Sequence, residues 1–139
     1  IGPPAVIVTS SRALPRPALV AFGRALADAA QADPRRVGLV ASCDWGHTHR
    51  DDGPYGFSPK AAEVDALVVD AIRAGDPLRL LTLSDEDAAA AAIDGLWQTL
   101  VLGGALARVR LHSEPQCHEA PTYPGMLTAV FTPDALPRG

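Results

Sequence analysis

The chain has 139 residues, of which 47% are hydrophobic and 20% are charged, and its formal net charge at pH 7 is -4. This length predicts one domain, spanning residues 1–139, with a hydrophobic core of its own. No apolar run approaches the roughly 18 residues that a membrane-spanning helix requires, and the 12 basic residues are scattered along the chain. The composition therefore argues against a membrane protein and against a nucleic-acid partner.

The two cysteines, Cys43 and Cys117, form neither a metal-binding C-x-x-C pair nor the dense framework of a small secreted domain. The sequence also lacks the charged and apolar segments of a secretory signal at its start. We therefore expect reduced thiols and a cytoplasmic protein. The sequence opens on Ile1, shortly before a strand-like run, and we expect it to begin inside a longer domain.

The first part of the chain alternates between strand-like and helix-like patterns. Residues 5–9 are a β-branched run that predicts a strand, and residues 37–41 are a continuous apolar run typical of a strand buried on both faces. Between them, apolar side chains at helical spacing predict an amphipathic helix over residues 17–32. Strand, helix and strand in this order indicate a parallel βαβ unit and hence an α/β fold.

Helical patterns continue through the centre of the chain. Apolar spacing predicts a helix that begins at Ser58 and ends at Gly75. Two further helix starts are expected at Asp76 and at Ser84, and acidic residues fill the first turn of the second.

The last part of the chain is predicted to hold one helix and two strands. The helix spans residues 95–106, with Asp94 as its cap, and two adjacent glycines within it indicate tight packing against a neighbouring element. The strands span residues 107–112 and 126–132 and are joined by a loop that contains Cys117.

Residues 43–58, which we call the histidine loop, follow the second predicted strand. Ligands gather at the carboxyl ends of strands in open α/β sheets, so this loop is the candidate site. His47 and His49 can take and return a proton near neutral pH, and the Asp44 carboxylate can hold such a ring in one tautomer. Three aromatic side chains of the same loop are able to form the floor of a pocket for a flat organic substrate: Trp45, Tyr55 and Phe57.

Two other interpretations of the histidine pair stay open. In an extended segment, His47 and His49 project to the same side and suit two zinc ligands of a metal-dependent hydrolase, with Asp44 assisting. The pair also fits an ordinary polar loop without a ligand. Cys43 has no obvious activating base, which argues against a nucleophilic role, and His118 fits an exposed loop as well as it fits a site.

Three motifs in and after the histidine loop point to a known family. They are V-A-S-C-D-W-G-H-T-H over residues 40–49, D-G-P-Y-G-F over residues 52–57 and E-V-D over residues 63–65. Together they resemble the class III (LigB-type) extradiol ring-cleavage dioxygenases. Further similar segments lie on both sides, over residues 22–26, 94–98 and 120–127. The resemblance covers nearly the whole chain and corresponds to the C-terminal half of the family's domain.

The resemblance implies a LigB-like α/β fold with a mostly parallel or mixed central sheet flanked by helices. It also implies an oxidoreductase that opens catechol-type aromatic rings with O₂, at a non-haem Fe(II) held by two His and one carboxylate. His47 matches the acid/base residue, and His49 matches a neighbour found in one branch of the family. Asp44, Tyr55 and Phe57 are then expected to contact the substrate.

The ligands of that iron have no clear match in this sequence. The segments that carry the family's two iron-binding histidines have no counterpart, and Asp94 stands where the family has its glutamate. We expect the chain to associate with a missing N-terminal half or with a copy of itself, because a doubly wound sheet cut midway exposes an edge strand and apolar helix faces. A non-catalytic homologue that acts as a partner subunit is the remaining alternative.

Overall fold

The computed structural model describes residues 3–133, apart from the side chains of Pro115 and Gln116. Helices and strands are both present, so the mixed α/β class is confirmed. In chain order the elements are α1 (Arg16–Ala32), α2 (Lys60–Arg73), a 3-10 helix (Pro77–Thr82), α3 (Asp85–Ala90), α4 (Leu96–Leu106), β1 (His112–Glu119) and β2 (Met126–Thr132). In this part of the chain, none of the helices combines the length and the apolar character that a membrane crossing requires.

The helices follow the local signals of the sequence. Helix α1 has Pro17 in its first turn, where the missing N–H has no helical partner to lose. Helix α2 is followed by Gly75 at a φ of +66°, a backbone conformation that glycine adopts without strain. The Ser84 hydroxyl caps α3 by accepting a hydrogen bond from the Asp87 N–H at 3.0 Å. The helix start expected at Asp76 becomes the 3-10 helix.

Two predictions for the last part of the chain are wrong. Asp94 does not cap α4: the N-cap residue is Gly95, and the Asp94 carboxylate pairs with the Arg12 guanidinium instead. The first late strand does not span residues 107–112, because backbone hydrogen bonds continue the end of α4 through the first of these residues. Strand β1 therefore starts later and includes Cys117, which was expected in a loop.

The sheet of the described residues is antiparallel and has two strands. Strands β1 and β2 pair in one hairpin, with a bulge between Pro115 and Cys117. Residues 5–9 and 37–41 have no regular secondary structure and are mostly exposed, and neither segment makes a backbone–backbone hydrogen bond to another described residue. A strand needs a neighbour to satisfy its backbone, so the two predicted parallel strands are not formed within residues 3–133.

The core lies between α1, α2 and α4. The indole of Trp45 is only 2% exposed and belongs to this core, so it anchors the start of the histidine loop. Helices α1 and α4 meet closely, because a Cβ added at Gly104 would lie well under 3.0 Å from the Val20 carbonyl oxygen. The tight packing expected of the α4 glycines is thereby confirmed.

Candidate functional site

Backbone hydrogen bonds fix the histidine loop to its neighbours. The Trp45 N–H donates to the carbonyl of Gly125, and the Gly125 N–H donates to the carbonyl of Gly46, each over 2.8 Å. On the other side, the His47 N–H donates to the carbonyl of Ala91 over 2.8 Å. The loop is therefore held between the β1–β2 hairpin and the end of α3.

The imidazole of His47 is buried beside the carboxylate of Asp44. Its Nε2 lies 3.2 Å from Asp44 Oδ2, so the structure brings together the two residues that were predicted to act as a pair. The negative carboxylate favours a proton on Nε2, which leaves Nδ1 as the acceptor of the neutral ring. Among the described residues, Nδ1 has no hydrogen-bond partner.

Two tyrosine rings pack on the His47 imidazole. Tyr55 meets it edge-on with ring centroids 5.5 Å apart, and Tyr123 meets it at 5.8 Å. Tyr55 and His47, both predicted for the site, therefore lie next to each other. Tyr123 was not predicted, because it lies in the β1–β2 connection and only the folding of that hairpin onto the histidine loop brings it to the imidazole.

A cleft of about 1200 Å³ is lined by His47 and Tyr55. Such a volume is ample for a substrate with one aromatic ring. On its wall, the Arg12 guanidinium lies 4.6 Å from the ring centroid of Trp97 and pairs with Asp94. The cleft thus combines an imidazole, aromatic surface and charges of both signs.

Four residues predicted for the site do not line the cleft: Asp44, Trp45, His49 and Phe57. Trp45 is instead buried in the core, so its predicted place in the floor of a pocket is wrong. The ring of Phe57 is 64% exposed and does not line the cleft, although its backbone forms a β-bridge with His49. The Nε2 of His49 faces Asp65, whereas the Nε2 of His47 faces Asp44. The two imidazoles therefore have different carboxylate partners.

A buried cluster around Asp65 was missed by the sequence analysis. Asp65 lies on α2 and is 1% exposed. Its Oδ1 accepts a hydrogen bond from the Gly46 N–H at 2.8 Å, and its Oδ2 lies 2.9 Å from His49 Nε2 and 3.1 Å from His118 Nε2. The available signal was an aspartate on the apolar face of a predicted helix, where a charge requires partners.

The described residues do not fit the iron that the family resemblance implies. Within residues 3–133, no group of three or more His, Cys, Asp or Glu is arranged to hold a metal ion. The cluster around Asp65 contains two imidazoles and a carboxylate, but both rings are hydrogen-bonded to one oxygen, and the Gly125 backbone closes over that oxygen. The carboxylate of Asp94 is paired with Arg12.

Cys43 lies next to the site but is a poor nucleophile. Burial raises the pKa of its thiol, and the nearby carboxylates of Asp44 and Asp94 raise it further. The contact with the Thr99 hydroxyl, 3.6 Å away, lowers the pKa but does not offset the burial. The thiolate is therefore scarce at neutral pH, which agrees with the absence of an activating base.

No protein-family model matches this chain, and no curated protein is significantly similar to it. The resemblance to extradiol dioxygenases is carried by the motifs of the histidine loop and its flanking segments.

Proposed function

We propose that the protein is an extradiol-type dioxygenase that opens catechol-type rings, with His47 as its acid/base residue. The environment of His47 carries this proposal. Its imidazole is buried, lies beside the Asp44 carboxylate and lines a cleft that also contains aromatic side chains. A general base needs a lone pair within reach of the proton and a neighbour that stabilises the charge it gains.

The proposed chemistry of this chain is a proton exchange. A catechol hydroxyl in the cleft donates its proton to the neutral imidazole of His47, and the negative charge of Asp44 stabilises the imidazolium that forms. The same imidazolium returns a proton later in the reaction. The rings of Tyr55 and Tyr123 hold the imidazole in place during both transfers.

Iron and its ligands lie outside what the described residues supply. The proposal therefore requires Fe(II) to be held by another segment or another chain, as expected if these residues correspond to the C-terminal half of a LigB-like domain in the cytoplasm. Residues 5–9 and 37–41 support this part of the proposal. Val6, Ile7 and Val40 are 91%, 93% and 86% exposed, and their backbones are open for pairing within the described structure. A parallel or mixed central sheet would cover both segments.

Association through these segments is the first expected result. The protein should elute above its monomer mass, either as a homo-oligomer or together with a segment that completes the sheet, because water tolerates such apolar, unpaired backbone poorly. Introducing lysine at both Ile7 and Val40 should weaken the association, as judged by light scattering. Leu67→Lys, on the exposed face of α2, is the matched control. A wild-type monomer would contradict this part of the proposal.

Ring cleavage itself can be measured directly. The full-length gene product should consume O₂ and give the coloured ring-opened product from catechol or 3,4-dihydroxybenzoate when Fe(II) is present, and a chelator should abolish both signals. Zinc-supported ester hydrolysis without ring cleavage would favour the hydrolase alternative. The absence of both activities, together with the absence of bound metal, would favour a non-catalytic partner subunit.

A further inference from the structure

Asp65 holds the backbone and side chains on both sides of His47. Its Oδ1 accepts from the N–H of Gly46, the residue directly before His47, at 2.8 Å. Its Oδ2 is hydrogen-bonded to Nε2 of His49, two residues after His47, at 2.9 Å. One buried carboxylate on α2 therefore fixes the chain immediately before and after the proposed acid/base residue, although Asp65 does not line the cleft.

The same carboxylate also reaches the β1–β2 hairpin. His118, on β1, is hydrogen-bonded to Asp65 Oδ2 at 3.1 Å. The backbone of Gly125, in the connection between β1 and β2, lies so close that an added Cβ would overlap Oδ2. Tyr123, which packs on the His47 imidazole, belongs to that connection. Asp65 thus joins α2, the histidine loop and the hairpin at one point.

Three hydrogen-bond contacts hold the Asp65 carboxylate in one orientation. Within the described residues, its ionic partners are the imidazoles of His49 and His118, with no lysine or arginine. A carboxylate only accepts hydrogen bonds, so each ring must present an Nε2–H to Oδ2, and this fixes both rings in one tautomer. Three donors on one buried carboxylate compensate for much of its lost hydration, because charge-assisted hydrogen bonds are the strong ones.

We propose that Asp65 is the positioning residue of this site, which fixes His47 in the cleft through Gly46, His49 and the hairpin contact of His118. This inference rests on the proposed acid/base function of His47. Catalytic groups must be held within about 0.5 Å of their productive geometry. The hydrogen bonds and packing of the surrounding residues provide this precision. A displacement of about 1 Å is enough to lower a rate by roughly 100-fold.

The test is Asp65→Asn, in which an amide of the same shape replaces one acceptor oxygen with a donor. If the amide nitrogen takes the place of Oδ1, the Gly46 N–H loses its acceptor, and if it takes the place of Oδ2, both imidazoles lose theirs. In either case the histidine loop shifts. We expect kcat for ring cleavage by the full-length protein to fall about 10- to 100-fold with little change in KM. In NMR spectra, the imidazole signals of His47 should also shift. Asp70→Asn, on the exposed face of the same helix, should change neither kcat nor the imidazole signals of His47.

Two further measurements keep the proposal open to refutation. His118→Ala removes one contact from a partly exposed ring, leaves the carboxylate in place, and should shift the His47 signals in the same direction but less. If the His47 signals and kcat are unchanged in Asp65→Asn, Asp65 is not a positioning residue. If the wild type binds Zn²⁺ or Fe²⁺ and Asp65→Asn abolishes that binding, the cluster is a metal site and the proposal is overturned. The NMR readout needs no activity, so it separates a failure here from a failure of the proposed dioxygenase function.

Discussion

Replacing His47 by glutamine is expected to lower ring-cleaving turnover by about 10² to 10⁴-fold, the usual contribution of general acid/base catalysis. Glutamine fills a similar volume and keeps polar atoms in the cleft, but it cannot take up a proton near neutral pH. The iron content should stay close to that of the wild type, because the proposed role of His47 is proton exchange. Turnover and bound iron are measured on the same preparation of the full-length protein.

The controls for this prediction separate the proton role from metal binding. His112→Gln changes the same residue type on the exposed edge of β1 and should leave turnover unchanged. His49→Ala should be milder than His47→Gln, since His49 contacts Asp65 and does not line the cleft. A His47→Gln variant with full activity would refute the proposed role, as would loss of iron from it. Loss of metal from both variants would instead favour the hydrolase alternative.

The second large effect is a loss of stability, expected when Gly104, at the contact between α1 and α4, is replaced by alanine. In Gly104→Ala the new Cβ would overlap the Val20 carbonyl oxygen. The helix backbones fix the positions of both atoms, so no side-chain rotation can relieve the overlap. Overpacking of this kind costs typically about 1 to 3 kcal/mol and occasionally more. Alanine itself favours a helix by about 1 kcal/mol over glycine. Because the overlap is severe, we take the upper end of this range, about 3 kcal/mol, and expect a net loss of about 2 kcal/mol in the free energy of unfolding.

Gly38→Ala is the matched control for this stability measurement. Within residues 3–133, no heavy atom lies within 4 Å of the position its Cβ would occupy, so the substitution should change the free energy of unfolding little. Urea denaturation of both variants and the wild type gives the comparison. If Gly104→Ala were as stable as Gly38→Ala, the close approach of α1 and α4 would be wrong.

The sequence by itself predicted the main helices and indicated which loop carries the candidate site. Apolar spacing identified α1 and α2, and Ser84 marked the start of α3 through the hydrogen bond that its hydroxyl makes three residues on. The pairing of Asp44 with His47 was also predictable, because the two residues are close in the same loop. These features depend on contacts between residues near each other in the chain, and such contacts leave a local pattern.

Only the tertiary structure decided which distant groups meet. Asp65 shares a carboxylate oxygen with His49 and His118, and no spacing along the chain relates β1 to α2. The role predicted for Asp94 failed for a similar reason, since a distant arginine competes for its carboxylate. Residues 5–9 and 37–41 have the composition of strands, but a strand forms only when a neighbour takes its backbone hydrogen bonds. Their state therefore depends on the neighbours present, which the local sequence does not specify.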